Sequence, residues 1–394
     1  MQMELEWFTL DSSTLRRDQI IEGFESIIWT ERYQVSGDFQ IVIKSTPQSR
    51  SLLAVGTWLG LNVSKYVMIV DTVSDETDQS TGARNITVTG KSLENLFNDR
   101  VAMPVISDTT TNPNWVVTAT PGDVIRFMVQ QICVVCVLDQ HDTIPFYRAG
   151  MLLPPGNIPE PSDTIVVTAQ PDTLYNTITQ IANTYGLGFR LIRNGDKGEI
   201  YFEVYMGNDL TSDQTIFNPV IFDPNLDNLE GITQLTSSAL VKTVAYVYAL
   251  NGSAIVYAVG ADPNAAGAGR RVLIVNSTNQ DPAGDDLDTA LAQEGLIALA
   301  SQTPVYSFDG ELTASVPYIY GVDYNLGDLV EERNSDGFGN QMVVTEQIFS
   351  EDNTGTKSFP TLTLFQTVTP NTWASWDSNQ EWSEVDSSVD WGTV

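Results

Sequence analysis

Histidine is almost absent from this chain of 394 residues: His141 is the only one. A Ser-His or Cys-His pair, or a multi-histidine zinc site, would have to be built around it or not at all, which removes most hydrolase mechanisms. Cysteine is nearly as scarce. Cys133 and Cys136 allow no more than a single bridge, and with no export signal they are compatible with a reducing compartment. Basic residues are few as well, 19 against 50 acidic ones, giving a formal charge of −31. Such a chain is ill suited to gripping phosphates by counterion release, so stable binding to DNA or to an anionic membrane is not expected. Long apolar runs are missing too. The longest, ICVVCVL at residues 132–138, falls far short of the roughly 20 residues a membrane-spanning helix needs. The start, MQMELEWFTL, has acids where a secretory signal has its basic region, so no export signal is expected and the chain is read as soluble.

What the chain does contain is patterned β-structure. Hydrophobic residues make up 42% and charged residues 18%, the range of a folded protein, and at about 150 residues per domain the length predicts two or three domains. In ERYQVSGDFQIVIKS, residues 31–45, Tyr33, Val35, Phe39, Ile41 and Ile43 alternate as one apolar face, with Gly37-Asp38 as turn or bulge. Strands are predicted over 27–35, 39–43 and 65–73, and Tyr66–Val70 pairs with Ile86–Thr89 across the acidic loop SDETDQSTGA. Residues 1–105 thus read as a small N-terminal β-barrel, with strands near 213–250 available to complete it.

The period then changes. In residues 121–132, Val124, Phe127, Met128 and Ile132 are spaced three and four apart behind Pro121, and Leu174, Ile178, Ile181 and Tyr185 repeat the pattern before Gly186. A hairpin follows, Phe189–Ile192 and Glu199–Val204 about Asn194-Gly195-Asp196, so residues 106–212 are predicted to be an α+β middle domain. From Ala239 the β pattern returns around Asn251-Gly252, ADPNAAGAGRR reads as a loop, and a short helix is expected near 286–300. Residues 213–367 read as a second β-barrel and 368–394 as an acidic tail carrying Trp373, Trp376, Trp382 and Trp391, which we expect to pack on a neighbour. The fold class is mainly β with α+β insertions: two small barrels and a helix-containing middle.

Few constellations could carry chemistry. Cys133-Val134-Val135-Cys136 has knuckle spacing and His141 follows, but only Asp139 or Asp142 could complete four ligands, and the surrounding valines point to core cysteines. Paired carboxylates remain open, since a glycosidase needs two acids of divergent pKa; Glu31, Asp38, Glu311 and Asp328 are equal candidates, with solvated or turn-forming acids the preferred reading. Ala266-Gly267-Ala268-Gly269 matches no phosphate loop. The acid clusters Asp71, Asp75, Glu76, Asp78 and Asp285, Asp286, Asp288 match no calcium loop. No catalytic, cofactor-binding or metal residue is assigned.

The order of motifs resembles a known family. Phe24, Ser26, Ile27, Trp29, Arg32, Tyr33, Gly37, Asp38, Phe39, Ile41 and Ile43, then Gly56, Tyr66–Val70 and Ile86–Leu93, resemble the N-terminal signature of siphophage minor tail proteins related to the baseplate hub. In that family a GxS-like turn enters a short helix, here Gly90-Lys91-Ser92-Leu93-Glu94-Asn95-Leu96. Leu187-Gly188-Phe189-Arg190, Lys242–Val247 and Tyr324-Asn325-Leu326-Gly327-Asp328-Leu329-Val330 follow in similar order, so the resemblance spans about residues 20–365.

The resemblance implies a structural, non-enzymatic homotrimer at the tip of a long non-contractile tail, part of the virion and made in the host cytoplasm. Its partners would be the distal tail protein, the tape measure protein and tail-tip fibres or other minor tail proteins. Genome DNA would pass through the ring without specific binding, and acids lining the channel would repel it. Lytic regions found in many relatives are not expected here. The alternatives are a cell-wall glycosidase using two carboxylates and a glycan-binding receptor module using the clustered tryptophans.

Overall fold

The computed structural model describes residues 3–11, 14–77, 84–103, 115–144, 147–169, 172–195, 197–226, 228–250, 252–277, 285–300, 302, 305–312, 318–333 and 339–364. The acidic tryptophan-bearing segment, Asp78 and the Pro171 helix start lie outside these residues.

The first block contains β1 (Leu5–Asp11), β2 (Thr14–Ile21), β3 (Phe24–Arg32), β4 (Asp38–Lys44), the short helix α1 (Pro47–Leu52), β5 (Trp58–Leu61), β6 (Val67–Thr77) and β7 (Arg84–Ser92). All neighbours in this block pair antiparallel, in the order β3-β4-β7-β6-β5-β1-β2. The uninterrupted apolar run Val67–Val70 has a physical cause. Met68 and Val70 face one core, with Trp29, Ile41 and Val88, while Val67 and Ile69 face a second, with Phe97, Val124 and Phe202. A strand buried on both faces has no polar side to alternate with. Phe39, Ile41 and Ile43 are buried as the alternation predicts, but β3 ends at Arg32 and Val35 is exposed in the turn that follows.

The middle region holds β8 (Trp115–Ala119), α2 (Pro121–Gln130), β9 (Tyr147–Ala149), β10 (Ile165–Ala169), α3 (Leu174–Tyr185), β11 (Gly188–Asn194) and β12 (Glu199–Tyr205). Both predicted helices form, because each is capped locally: the Thr120 and Thr173 hydroxyls accept N–H groups of Asp123 and Asn176, and Gly186 closes α3 at φ 69°. Helix α2 continues into a single π turn over Gln131–Val135. Phe127, expected on its buried face, is exposed on one side and leans on Trp115, with ring centroids 6.0 Å apart.

The last part contains β13 (Ile221–Phe222), β14 (Leu229–Ser237), β15 (Val244–Ala249), β16 (Gly252–Tyr257), β17 (Val272–Asn276), α4 (Asp285–Ala300), β18 (Val305–Leu312), β19 (Leu329–Arg333), β20 (Gly339–Asp352) and β21 (Gly355–Leu364). Its outer strands join the first block: β20 pairs with β3, Phe349 opposite Trp29 and Glu346 opposite Arg32. One hydrogen-bonded path therefore runs β14-β18-β21-β20-β3-β4-β7-β6-β5-β1-β2 through strands from both ends of the chain. Residues between β14 and β18 form a separate small layer in which α4 covers β16-β15-β17 through Leu287, Leu291 and Leu299. The fold is mainly β with a few helices. No helix of the described residues is long and apolar enough to cross a membrane.

Candidate functional site

The turn after β3 is where the three parts of the chain meet, and Tyr33 is its centre. Its backbone N–H donates to the Thr345 carbonyl in β20 (2.9 Å), and its carbonyl accepts from Phe189 N–H in β11 (3.2 Å). Its hydroxyl lies 3.0 Å from the Gly186 carbonyl and 3.2 Å from that of Tyr205, so its one proton has an acceptor inside the protein. The ring fits only because glycines flank it. A Cβ on Gly188 would lie 2.0 Å from the ring, and one on Gly327 would lie 2.3 Å away, while Gly327 also sits at φ +86°. Tyr33, LGFR and YNLGD, far apart in sequence, are one contact in space.

Around Tyr33 lies an enclosed polar network. Arg190 is buried, its guanidinium 3.9 Å from the Tyr205 ring centroid and 2.8 Å from Glu203 through both Nε and Nη2. Glu203 also accepts N–H groups of Leu152 and Leu153, which pins the loop after β9 to β12. Burial works against the Arg190 charge, but the Glu203 carboxylate and the Tyr205 ring face beside it favour the charged form, and its pKa is raised. Glu94, in the short helix Leu93–Asp99 entered from Gly90-Lys91-Ser92, reaches across to accept Leu191 N–H. Burial raises its pKa.

Two of the four candidate carboxylates belong to this network. Glu31 is buried and accepts the Tyr320 hydroxyl at 2.7 Å; burial pushes its pKa up to about 7 against the hydrogen bonds of Ser64 and Tyr320. Asp328 is buried and accepts N–H groups of Asn208 and Asn325, each at 2.7 Å; burial pushes it up to about 6. Arg190 lowers both, which places them in one electrostatic neighbourhood. Asp38 is elsewhere, paired with Arg32 at 2.6 Å, and Arg32 also bridges to Glu346 at 2.5 Å, clasping β3, β4 and β20 together. Glu311 stands on β18 opposite Glu230. Glu31 and Asp328, the two candidates with raised pKa, are both buried, whereas a glycosidase pair has to flank a bound sugar in an open cleft. What the arrangement can do is lock three chain segments in one relative position.

The other candidate ligands are scattered. Cys133 is buried in the π turn that continues α2, with its thiol pushed up to about 12 by burial, while Cys136 is half-buried with left-handed backbone at φ 56°. The core placement expected for both cysteines therefore holds for Cys133 alone. His141 is exposed, its Nδ1 2.6 Å from the Asp139 carboxylate. In the first acid cluster Asp75 is held by Arg84 at 2.7 Å, and in the second Asp288 is exposed. Among the described residues no three His, Cys, Asp or Glu side chains are grouped to hold a metal.

Comparison with known proteins agrees with this architecture. The profile of the siphovirus ReqiPepy6 Gp37-like proteins matches residues 7–355, a span that includes Tyr33, Gly188 and Gly327. This chain belongs to the siphovirus ReqiPepy6 Gp37-like family. No curated protein sequence matches it. Among solved structures, the chain of this Gp37-like protein is similar to the 43 kDa tail protein of prophage MuSo2 from Shewanella oneidensis, at 14% identity and TM-score 0.54, over 91% of this chain and 97% of that one. It is similar also to the tail protein from Neisseria meningitidis MC58, at 13% identity and TM-score 0.52, over 92% and 97%. At such identities the likeness is one of fold. The family is thus a siphovirus one, and the fold is shared with two proteins described as tail proteins.

Proposed function

We propose that this protein is the hub at the tip of a long non-contractile phage tail, a homotrimer whose two β halves per chain alternate round the channel that genome DNA crosses. The observation that carries the reading is the family profile over residues 7–355. The Tyr33 junction supports it. A ring component bears load between the neighbours above and below it, and a joint in which β3, β11 and the Gly327 loop are locked by one ring resists hinging. The distal tail protein above, tip fibres below and the end of the tape measure protein are the partners. The chain is made in the host cytoplasm and catalyses nothing, in keeping with the burial of Glu31 and Asp328.

The acidity has a role in the same proposal. A formal charge of −31 on each chain repels DNA wherever it lines the channel, so the genome slides past the wall and is not held by it. Immunogold labelling of intact particles tests the location: gold at the tail tip is expected, and gold along the shaft or on the capsid overturns it.

A further inference from the structure

In the sheet β16-β15-β17 one face is covered by α4, and the other is covered at its Val244 end but open across Ile255 and Ile274. Ala245, Val247, Val256 and Val275 point to α4. The opposite face carries Ile255, Tyr246 and Ile274 in one row, since Tyr246 is registered with Ile255 on one side and Ile274 on the other, and Tyr248 and Tyr257 continue it. Ile255 is 61% exposed, Ile274 65% and Tyr248 51%. An apolar row across three strands is a surface built to be covered. It also bears a positive charge: Arg270 lies 5.9 Å from the ring centroids of both Tyr246 and Tyr257 and donates to the Tyr246 hydroxyl at 2.9 Å. Arg271 adjoins it, and Asp262 is the nearest acid in the same loop.

We propose that the occupant of this face is the chain's own C-terminal segment, residues 365–394. Three observations choose it. The first is where that segment starts. Ser237 pairs with Val305 at the root of the small layer, and Ser307 pairs with Thr363, so β21 delivers the chain within a strand of that root. The second is reach: 30 residues can span on the order of 100 Å when extended, ample to cross a three-stranded sheet. The third is composition. The segment has Trp373, Trp376, Trp382 and Trp391 among five acids and no base, which complements an aromatic and aliphatic face marked by Arg270. Tryptophans would cover the Ile255-Tyr246-Ile274 row while Asp377 or its neighbours approach the guanidinium. This inference does not depend on where in the tail the protein sits.

The test uses the full-length chain. A photoreactive benzoylphenylalanine in place of the exposed Tyr248 is expected to cross-link, on irradiation, to peptides within 365–394. Mixing isotopically light and heavy chains should show both ends of the link in one molecule. Links to another copy, links only to other regions, or none overturn the proposal. In parallel, the full-length double variant Ile255→Glu and Ile274→Glu, which alters only exposed side chains, should raise acrylamide quenching of tryptophan fluorescence at least twofold. Quenching equal to that of the parent chain contradicts the docking.

Discussion

The ring of Tyr33 lies against the Cα of Gly188 so closely that a single methyl group there would sit 2.0 Å from it. No rotamer change of a buried tyrosine with its hydroxyl engaged on two carbonyls relieves that overlap. Gly188→Ala should therefore force the strand and the ring apart and cost about 1–3 kcal/mol. Gly327→Ala should cost at least as much, because φ +86° adds backbone strain to the overlap. Thermal unfolding followed by circular dichroism checks both, and transitions unchanged from the parent would show that the ring is not clamped.

Removing the ring should be worse than removing its hydroxyl. Tyr33→Phe loses one buried hydrogen bond, about 0.5–1.5 kcal/mol, and Tyr33→Ala leaves a cavity worth about 3–5 kcal/mol. Urea titrations of the two variants should rank them in that order.

Arg190 neutralises Glu203 inside the protein, so Arg190→Leu leaves a buried carboxylate without its cation. Losses of this kind run to about 3–5 kcal/mol. Glu203→Gln with Arg190 retained should also destabilise, and the double variant Arg190→Leu, Glu203→Leu should recover part of the loss. A double variant no better than the single ones would mean that the pair is not coupled.

Buried acids set the pH dependence. Glu31 is held near pKa 7 and Asp328 near 6 in the folded state, both above their ordinary values, through burial. The folded protein then binds more protons than the unfolded chain, so these groups favour folding at low pH, and the contribution is lost as pH rises through about 4 to 7. Denaturant midpoints should fall over this window. Glu31→Gln should flatten the upper part of the curve and stabilise the protein at pH 8, and an unflattened curve would remove Glu31 from the account.

Thiol labelling reads the helix-to-loop junction after α2. Cys133 is buried with its thiol pushed up to about 12, whereas Cys136 is partly open. Labelling of the folded protein with a disulfide reagent at pH 8 should stop at one thiol, with the second released only by denaturant.

Local signals account for what the sequence made legible. The caps of α2 and α3, the hairpin about Asn194-Gly195 and the turn from Gly90 into Leu93–Asp99 each depend on residues within a few positions of one another. The pairing of β3 with β20 does not: Arg32 and Glu346 are brought together across most of the chain, and no periodicity reports that. Val35 shows the limit of alternation, which continues past the strand into a turn where Val35 is exposed. Tyr33, Gly188 and Gly327 were visible as separate motifs, but their contact is a property of packing. Glu31 and Asp328 looked like ordinary surface acids, since carboxylates are seldom fully buried and only the tertiary fold encloses these two.

The most direct test of the hub assignment is a reconstruction of the tail tip by electron cryomicroscopy without imposed threefold symmetry. The account predicts three copies of this chain in a closed ring directly below the distal tail protein, with acidic side chains facing an open channel. A chain found away from the tip, in another copy number, or with a neutral or basic lumen and its acids on the outer face would contradict it.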